Sequence, residues 1–156
     1  TPSHEVNASM DHMNKSQNMQ LLQNVEYDDR EHKIVVEEVD ESQVTVRHEF
    51  AVGEGATYTG QMREVIDEET NQPILLKHGK GTQLWPDGAK YEGDWRNGMA
   101  EGQGTFYHAN GDVYTGEFYQ DRANGFGVYV HSNGQKYEGF WKDDLQDGPG
   151  KEELED

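Results

Sequence analysis

The sequence YEGDWRNGMAEGQGTFYHANGDV occupies residues 91–113, and the same pattern with substitutions occupies residues 114–136. Tyr91, Gly93 and Trp95 recur there as tyrosine, glycine and phenylalanine after 23 residues, and as tyrosine, glycine and tryptophan after a further 23. A fixed period of between about 20 and 50 residues is typical of an array of stacked supersecondary units. The sequence therefore predicts a repeat protein.

Shorter and longer copies flank these two units. A unit near 137–150 lies on the C-terminal side, and a degenerate unit near 58–90, which starts at Tyr58, lies on the N-terminal side. The N-terminal unit is ten residues longer than the two central ones, and the excess falls in 64–77. Its centre, 67–73, is polar, and because insertions in repeat arrays map to loops, we expect a loop there.

Each unit is predicted to be a β-hairpin. Tyr91, Gly93 and Trp95 alternate with period two, which puts their side chains on one face of a first strand, and a second strand over 104–108 returns antiparallel to it. An Asp-Gly or Asn-Gly pair closes each unit, as at Gly88, and is typical of a tight turn. Stacked hairpins of this kind predict an all-β fold, an elongated single-layer antiparallel sheet.

Equivalent residues of successive units should form ladders across this sheet. Glycine is costly inside a strand and is tolerated where another group approaches the backbone closely. The channel above the glycines is therefore filled either by the chain's own aromatic rings or by the side chains of a partner, and both can hold at once. The predicted partner-binding groove comprises Tyr91, Gly93, Trp95, Tyr114, Gly116, Phe118, Tyr137, Gly139 and Trp141.

Composition changes abruptly along the chain, since all 18 glycines lie from Gly53 onward. Residues 1–24 mix Ser, Asn and Gln with too few apolar side chains to offset the entropy of ordering, and predict a flexible arm. Residues 25–52 are acidic but contain β-branched runs, which predict a β-hairpin or an N-terminal cap. The array follows over 53–151, and an acidic tail, 152–156, replaces the second strand of the last unit.

The chain carries 13 Lys and Arg against 31 Asp and Glu, a net charge of -18. This balance argues against binding to nucleic acid or to an anionic membrane, because both depend on basic side chains that neutralise phosphates. The absence of cysteine excludes disulfides and thiolate zinc sites and fits the cytoplasm. No apolar run approaches the roughly 20 residues that a membrane-spanning helix needs. The chain starts at Thr1, and we interpret it as a segment of a longer one.

Histidines and carboxylates are the candidates for chemistry. His108 and His131 occupy the same position in adjacent units. Equivalent residues two strands apart lie roughly 9 to 10 Å apart, which is far for one shared ion, so we expect stacked, partly exposed imidazoles. Carboxylates such as Glu101 and Asp112 are common enough here to pair by chance, and no nucleophile or oxyanion donor set accompanies them. The sequence thus predicts no catalytic site, no metal and no cofactor.

Two short segments carry a family resemblance. Residues 91–95, YEGDW, and 102–106, GQGTF, resemble the MORN family, whose name stands for membrane occupation and recognition nexus. The resemblance covers about residues 53–150. The sequence departs from the pattern at Asp121 and Asp144, which stand where the unit at 91–113 has Gly98. The resemblance implies a scaffold of stacked hairpins and says less about its function.

Proteins that resemble this array are often components of the cytoskeleton, of membrane skeletons, or of the radial spokes and doublet microtubules of axonemes in cilia and flagella. The resemblance implies a non-enzymatic scaffold that binds a protein partner, an amphipathic helix or an extended peptide. Two alternatives are a phosphoinositide-binding module and the regulatory region of a larger enzyme, a phosphatidylinositol-phosphate kinase or a SET-type lysine methyltransferase. An open strand edge in the last unit would also allow a homodimer through the C-terminal repeat.

Overall fold

The computed structural model describes residues 44–154, which form nine strands in one open antiparallel sheet. Each strand pairs with its neighbours in sequence, so the order in the sheet is the order along the chain. The strands are β1 Val44–Gly53, β2 Ala56–Ile66, β3 Pro73–Leu84, β4 Lys90–Arg96, β5 Met99–Tyr107, β6 Val113–Tyr119, β7 Arg122–Val130, β8 Lys136–Lys142 and β9 Leu145–Glu153. These described residues contain no helix, and therefore none that could cross a membrane. The prediction of an all-β sheet of stacked hairpins is confirmed.

A two-residue turn joins the strands within each of the last three units. Both residues of each turn have positive φ, a conformation in which the turn follows the twist of the strands that it joins. The three turns are Asn97-Gly98, Gln120-Asp121 and Asp143-Asp144. Asp121 and Asp144 therefore occupy a backbone conformation that glycine adopts most readily. Their side chains must make contacts that offset this strain.

Longer loops join consecutive units. In the loop between β3 and β4, the Gly88 N–H donates to the Trp85 carbonyl at 3.0 Å, and the Ala89 N–H donates to the Asp87 carboxylate at 3.0 Å. Gly88 has a φ of 94°, which strains any other residue. The predicted turn is confirmed in place, but it is longer than the two-residue turn that an Asp-Gly pair signals.

Eight glycines form a continuous row across the sheet from β2 to β9. Each glycine is paired with the glycine of the next strand, as Gly93 is with Gly104. The row consists of Gly60, Gly81, Gly93, Gly104, Gly116, Gly127, Gly139 and Gly150. The glycine row therefore takes one residue from each strand of every unit, and the degenerate first unit follows the same plan as the others.

A β-bulge follows the glycine row in the first strand of each unit. In β4 the register shifts between Gly93 and Trp95, so Asp94 stands outside the pairing with β5. The same shift occurs after the glycine-row residues of β2, β6 and β8. A bulge bends the strand that contains it and increases its twist. Each hairpin is consequently bent next to the glycine row.

The hydrophobic core lies on one face of the sheet, which we call the inner face. Aromatic rings dominate it, and Tyr58, Tyr91 and Tyr114 are completely buried. An aromatic side chain buries about 150 to 250 Å² of surface, so a few rings supply the area that this chain, poor in Leu and Ile, cannot obtain from aliphatic residues. A second, small cluster on the long hairpin of the first unit contains Val65, Ile74 and Leu76.

The insertion in the first unit lengthens a hairpin instead of forming one long loop. β2 and β3 remain paired as far as Ile66 and Pro73. The loop that was predicted over 67–73 is thus reduced to 67–72. Leu75 in the added part of β3 packs against the core, and Lys77 is completely buried.

The last unit has a complete second strand, contrary to the sequence-based expectation. β9 pairs with β8 from its start to its end, and Glu153 lies opposite Lys136. The prediction that an acidic tail replaces this strand was wrong, because backbone hydrogen bonds hold a strand in a sheet without apolar side chains. Most of the side chains of β9 are exposed, and Lys151 is one of them.

Two predictions for the N-terminal part fall largely on residues that the structure does not describe. The flexible arm predicted over 1–24 lies outside the described residues, and so does most of the hairpin or cap predicted over 25–52. The C-terminal part of the segment 25–52 forms most of β1, which pairs with β2 and places Thr45 opposite Met62. Tyr58 donates its hydroxyl to the Gln61 carbonyl at 2.6 Å, so the repeat geometry begins in β2.

Candidate partner-binding surfaces

The nine residues predicted to form a partner-binding groove lie together on the inner face. Their six aromatic side chains are buried, with exposed fractions from 0% for Tyr91 to 7% for Tyr137. A Cβ atom added at Gly104 would overlap the ring of Tyr91, and one added at Gly127 would overlap the ring of Tyr114. The chain's own tyrosines therefore occupy the space above the glycine row. Binding of a partner along this face stays a prediction.

Rings of consecutive units contact each other edge to face. The ring centre of Tyr91 lies 4.8 Å from that of Trp95 in its own unit and 5.0 Å from that of Phe118 in the next, with planes almost perpendicular. Such pairs contribute about 0.5 to 1.5 kcal/mol each beyond their buried area. The corresponding contacts between other units are Tyr58 with Trp95 at 5.6 Å and Tyr114 with Trp141 at 5.5 Å. This ladder holds the units together.

The tyrosine hydroxyls are satisfied at the bulges. The Tyr91 hydroxyl donates to the Asp94 carbonyl at 2.8 Å, and the Tyr114 hydroxyl donates to the Glu117 carbonyl at 2.9 Å. Both acceptors are bulge residues, whose register with the next strand is broken. Burial raises the pKa of Tyr91 and Tyr114 well above the usual range, so both keep their protons as donors. The tyrosines are structural groups, and none is poised for proton transfer at neutral pH.

The two equivalent histidines do not stack on each other, so the expectation of stacked imidazoles was wrong. The ring of Tyr129 lies between them, with its centre 5.8 Å from that of His108 and 4.8 Å from that of His131. The Tyr129 hydroxyl donates to Asp112 at 2.6 Å, and the Ser132 N–H donates to the same carboxylate at 2.8 Å. Burial opposes ionisation of Asp112, but these hydrogen bonds outweigh it and lower its pKa. The cluster links two units, because Asp112 belongs to one and both of its donors belong to the next.

Asp121 and Asp144 stand where an earlier unit has Gly98, and each of them ties two units together. The Asp121 N–H donates to the Ala100 carbonyl at 3.0 Å, and its Oδ1 accepts the Ala100 N–H at 2.7 Å. Asp144 makes the same two bonds with Ala123, at 3.0 and 2.8 Å. We call each pair of bonds an inter-unit clamp. The clamps offset the strain of a side chain at positive φ.

Lys77 is a buried cation that the sequence pattern conceals. It stands 23 residues before Ala100 and is completely buried. Its Nζ donates to the Gln83 Oε1 at 2.7 Å and lies 4.2 Å from the centre of the Trp95 ring. Burial lowers the pKa of Lys77 to about 7, against the attraction of the Asp121 carboxylate. Burial likewise raises the pKa of Asp121 to about 7, although Lys77 acts to lower it.

The opposite face of the sheet, the outer face, carries the side chains of the bulge residues. In each of the first three units, a side-chain oxygen of the bulge residue accepts a hydrogen bond from a backbone N–H of the second strand. We call this bond a bulge cap, because it satisfies an N–H that the interrupted pairing leaves over. The three bulge caps join Gln61 to Lys80 at 2.8 Å, Asp94 to Gln103 at 2.9 Å and Glu117 to Phe126 at 2.5 Å.

A groove of about 540 Å³ crosses the outer face of the first two units. Its lining includes two ion pairs, Lys80 with Asp94 and Arg96 with Glu101, the second at 3.8 Å. Because each of these basic side chains faces a carboxylate, the groove offers little excess positive charge for a phosphate group. The sequence predicted neither the groove nor the bulges, since period-two alternation gives no sign of a single inserted residue.

Comparison with known proteins places these repeats in a family. The family model described as MORN repeat matches residues 76–90, 91–113, 114–136 and 137–156, which together make up more than half of the chain. No curated protein matches the chain. Three of the four matched segments start at Tyr91, Tyr114 and Tyr137, which are tyrosines that cover the glycine row. The chain belongs to the MORN repeat family.

Proposed function

We propose that the chain is a non-enzymatic scaffold that binds a protein partner, an extended peptide or an amphipathic helix. The MORN repeat is generally a non-catalytic module. One observation carries the proposal: the tyrosine and the glycine of the first strand recur in all four units, whereas the bulge residue on the outer face changes. The bulge position is Asp94, then Glu117, then Phe140. A constant support with a variable surface suits recognition of a partner over several units.

The scaffold would act in the cytoplasm, in a cytoskeletal or axonemal assembly such as the radial spoke or the doublet microtubule of a cilium or flagellum, or in a membrane skeleton. The resemblance of its repeats to those of such components supports this placement. The acidic, cysteine-free composition is compatible with it. A homodimer through the C-terminal repeat is a further form that the scaffold could take, since β9 is the last strand of the described sheet.

Affinity purification with the full 156-residue chain as bait, followed by mass spectrometry, tests the proposal. Extracts would come from ciliated cells and from the same cells before they form cilia. We expect axonemal or cytoskeletal proteins that excess untagged chain displaces. The same chain, denatured before it is coupled to the resin, serves as the control bait. Capture of the same proteins by both baits would contradict a specific scaffold.

Direct phosphoinositide binding is the competing function, and co-sedimentation with anionic liposomes tests it. We expect negligible binding at physiological ionic strength, because the chain has a net charge of -18 and the surface has the same sign. A local basic patch could act within the screening length of ~8 Å. Of the candidates Lys90, Lys136 and Lys142, the first two already pair with Glu92 at 3.0 Å and Glu138 at 3.9 Å. Tight binding that charge reversal of these lysines abolishes would contradict the expectation.

A further inference from the structure

The outer face changes character in the last unit. The first three units each have a bulge cap, a side-chain oxygen that accepts an N–H of the second strand. In the fourth unit, Phe140 stands at the bulge in place of the acceptor, and Pro149 stands in place of the donor. Proline has no N–H, so the acceptor and the donor of the bulge cap are lost together and no donor is left over. The fold therefore tolerates the change.

The loss of the bulge cap creates an apolar row on the outer face. Phe126 and Phe140 lie opposite each other on β7 and β8, with ring centres 5.7 Å apart. Their exposed fractions are 44% and 48%, and Pro149 continues the row on β9 as an exposed residue. Elsewhere the same positions hold polar residues such as Asp94 and Gln103. Adjacent exposed rings that the core does not use mark an interaction surface.

Pro149 leaves the outer edge of β9 able to pair with another strand. Its equivalents, Gln103 and Phe126, donate their N–H groups to side chains on the preceding strand. The N–H that proline lacks would therefore point toward β8 and away from the open edge. Proline usually blocks an edge strand against pairing. Here it does not, because it removes a group from the inner side of the strand.

The carbonyl of Gly150 is a hydrogen-bond acceptor at the open edge of β9. Its equivalents, Gly81 and Gly127, each accept an indole N–H from a tryptophan on the following strand, at 3.0 and 3.1 Å. Within residues 44–154 no strand follows β9. An added strand that carries a tryptophan at this level could donate to Gly150 in the same way.

The side chains of β9 select a basic occupant. Where β7 has Val128, Tyr129 and Val130, β9 has lysine followed by Glu152 and Glu153. Opposite charges that lie across from each other on neighbouring strands stabilise the pairing of the strands. Glu153 pairs with the lysine of its own strand at 3.5 Å, but both side chains are mostly exposed and screened by solvent. The net charge of -18 also attracts a basic segment over a longer range.

We propose that β9 and the apolar row Phe126, Phe140 and Pro149 form one docking surface that takes an extended, basic peptide of a partner protein as an added antiparallel strand. The proposal rests on the scaffold function and names its surface and its class of partner. The peptide places a large apolar side chain beside Pro149 and Lys or Arg opposite Glu152 and Glu153. The peptide carries glycine opposite Gly150, because each glycine of the row is paired with a glycine on the neighbouring strand.

Fluorescence anisotropy tests the proposal with a labelled synthetic peptide that has the central sequence Lys-Arg-Thr-Gly-Phe-Trp. A peptide with both basic residues replaced by glutamate is the matched control. The full 156-residue chain should bind the basic peptide saturably, and more weakly as salt is added. The acidic peptide should bind at least about tenfold more weakly. Failure of the basic peptide to bind at low ionic strength would overturn the proposal.

A cap-restoring variant, Phe140→Glu with Pro149→Gln, tests the apolar row. It recreates the pair of side chain and N–H that other units contain, as at Glu117, so it should fold at least as stably as the wild type. Peptide affinity should fall by about tenfold or more, because the apolar contact is removed. Unchanged affinity in a folded variant would show that the row is not part of the docking surface and would overturn the proposal.

A charge-reversed variant tests the edge. The double substitution Glu152→Lys with Glu153→Lys should weaken binding of the basic peptide. The control, Glu64→Lys with Glu68→Lys, changes the net charge by the same amount far from β9 and should leave binding unchanged. Equal effects of the two variants would overturn the proposal. A dimer in sedimentation velocity that the cap-restoring variant dissociates would assign the surface to a second copy instead. Partners captured in the affinity purification, together with no peptide binding, would refute this surface and leave the scaffold function standing.

Discussion

An alanine at Gly127 should lower the free energy of unfolding by about 3 kcal/mol, the upper range for overfilling a packed core. Its Cβ would lie 2.6 Å from Cε2 of Tyr114 and closer to other atoms of the ring. Tyr114 is completely buried and donates its hydroxyl to the Glu117 carbonyl. The ring would have to leave its place, and its contacts with Phe118 and Trp141 would be lost.

Gly88→Ala is the matched control for this prediction. Gly88 has a φ of 94°, but a Cβ added there meets no atom within 4 Å. The substitution should cost about 1 to 2 kcal/mol through backbone strain alone. Urea denaturation of both variants, followed by tryptophan fluorescence, measures the difference. Equal losses would mean that the glycine row serves backbone conformation and not the space that Tyr114 occupies.

Asp121→Ala should be the second most damaging change, lowering the free energy of unfolding at pH 5 by about 3 kcal/mol. The inter-unit clamp would lose its acceptor, and the buried Ala100 N–H would be left without the bond it makes at 2.7 Å. Alanine would also be strained at the φ of 67°. Asp121→Asn is the conservative control, since asparagine keeps an oxygen at Oδ1 and tolerates positive φ. A loss as large in the asparagine variant would argue against the clamp.

The same control reports the titration of the carboxyl group. The pKa of Asp121 is raised from 3.8 to about 7 by burial, so its contribution to stability is complete below pH 3.8 and is lost as the pH rises through 7. Asparagine cannot titrate. Between about pH 4 and 7 the unfolding free energy of Asp121→Asn should therefore rise relative to that of the wild type. A constant difference across this range would show that the carboxyl is ionised throughout.

Lys77 should make the free energy of unfolding rise with pH above neutrality, which is the opposite of the effect of Asp121. Its pKa is lowered from 10.5 to about 7 by burial, so its contribution is complete above pH 10.5 and is lost as the pH falls through 7. The combined contribution of Lys77 and Asp121 is thus lowest near neutral pH. Two buried groups that would each be ionised in water therefore lower the stability of this junction near pH 7.

The sequence was sufficient for the hairpins, because the 23-residue period and the alternation of Tyr91, Gly93 and Trp95 constrain both strand direction and face. It could not decide what covers the glycines. That depends on how the Tyr91 ring leans over Gly104, a residue on the next strand, and single-strand periodicity carries no information about cross-strand contacts. β9 was missed for a related reason, since Glu152 and its neighbours break the apolar pattern while their backbone still pairs.

The candidate site was harder to predict than the fold. The rings of the aromatic ladder were identified correctly as neighbours, but the sequence did not show that Trp95 and Trp141 are almost completely buried next to bulges. The exposed pair Phe126 and Phe140 reads as ordinary apolar content in the sequence. The structure shows that the pair belongs to an apolar row, because Pro149 lies across from the bulge at a position where another residue would have an N–H in need of an acceptor.

The sequential strand order also bears on synthesis of the chain. Ribosomes add about 5 to 20 residues per second, so one 23-residue unit takes on the order of 1 to 5 seconds to appear. A hairpin forms in about 1 to 10 μs. Each unit can therefore settle on the one before it long before the next emerges. Within residues 44–154, no strand has to wait for a partner strand that is made much later, which shortens the time in which the newest strand edge of a nascent chain could aggregate.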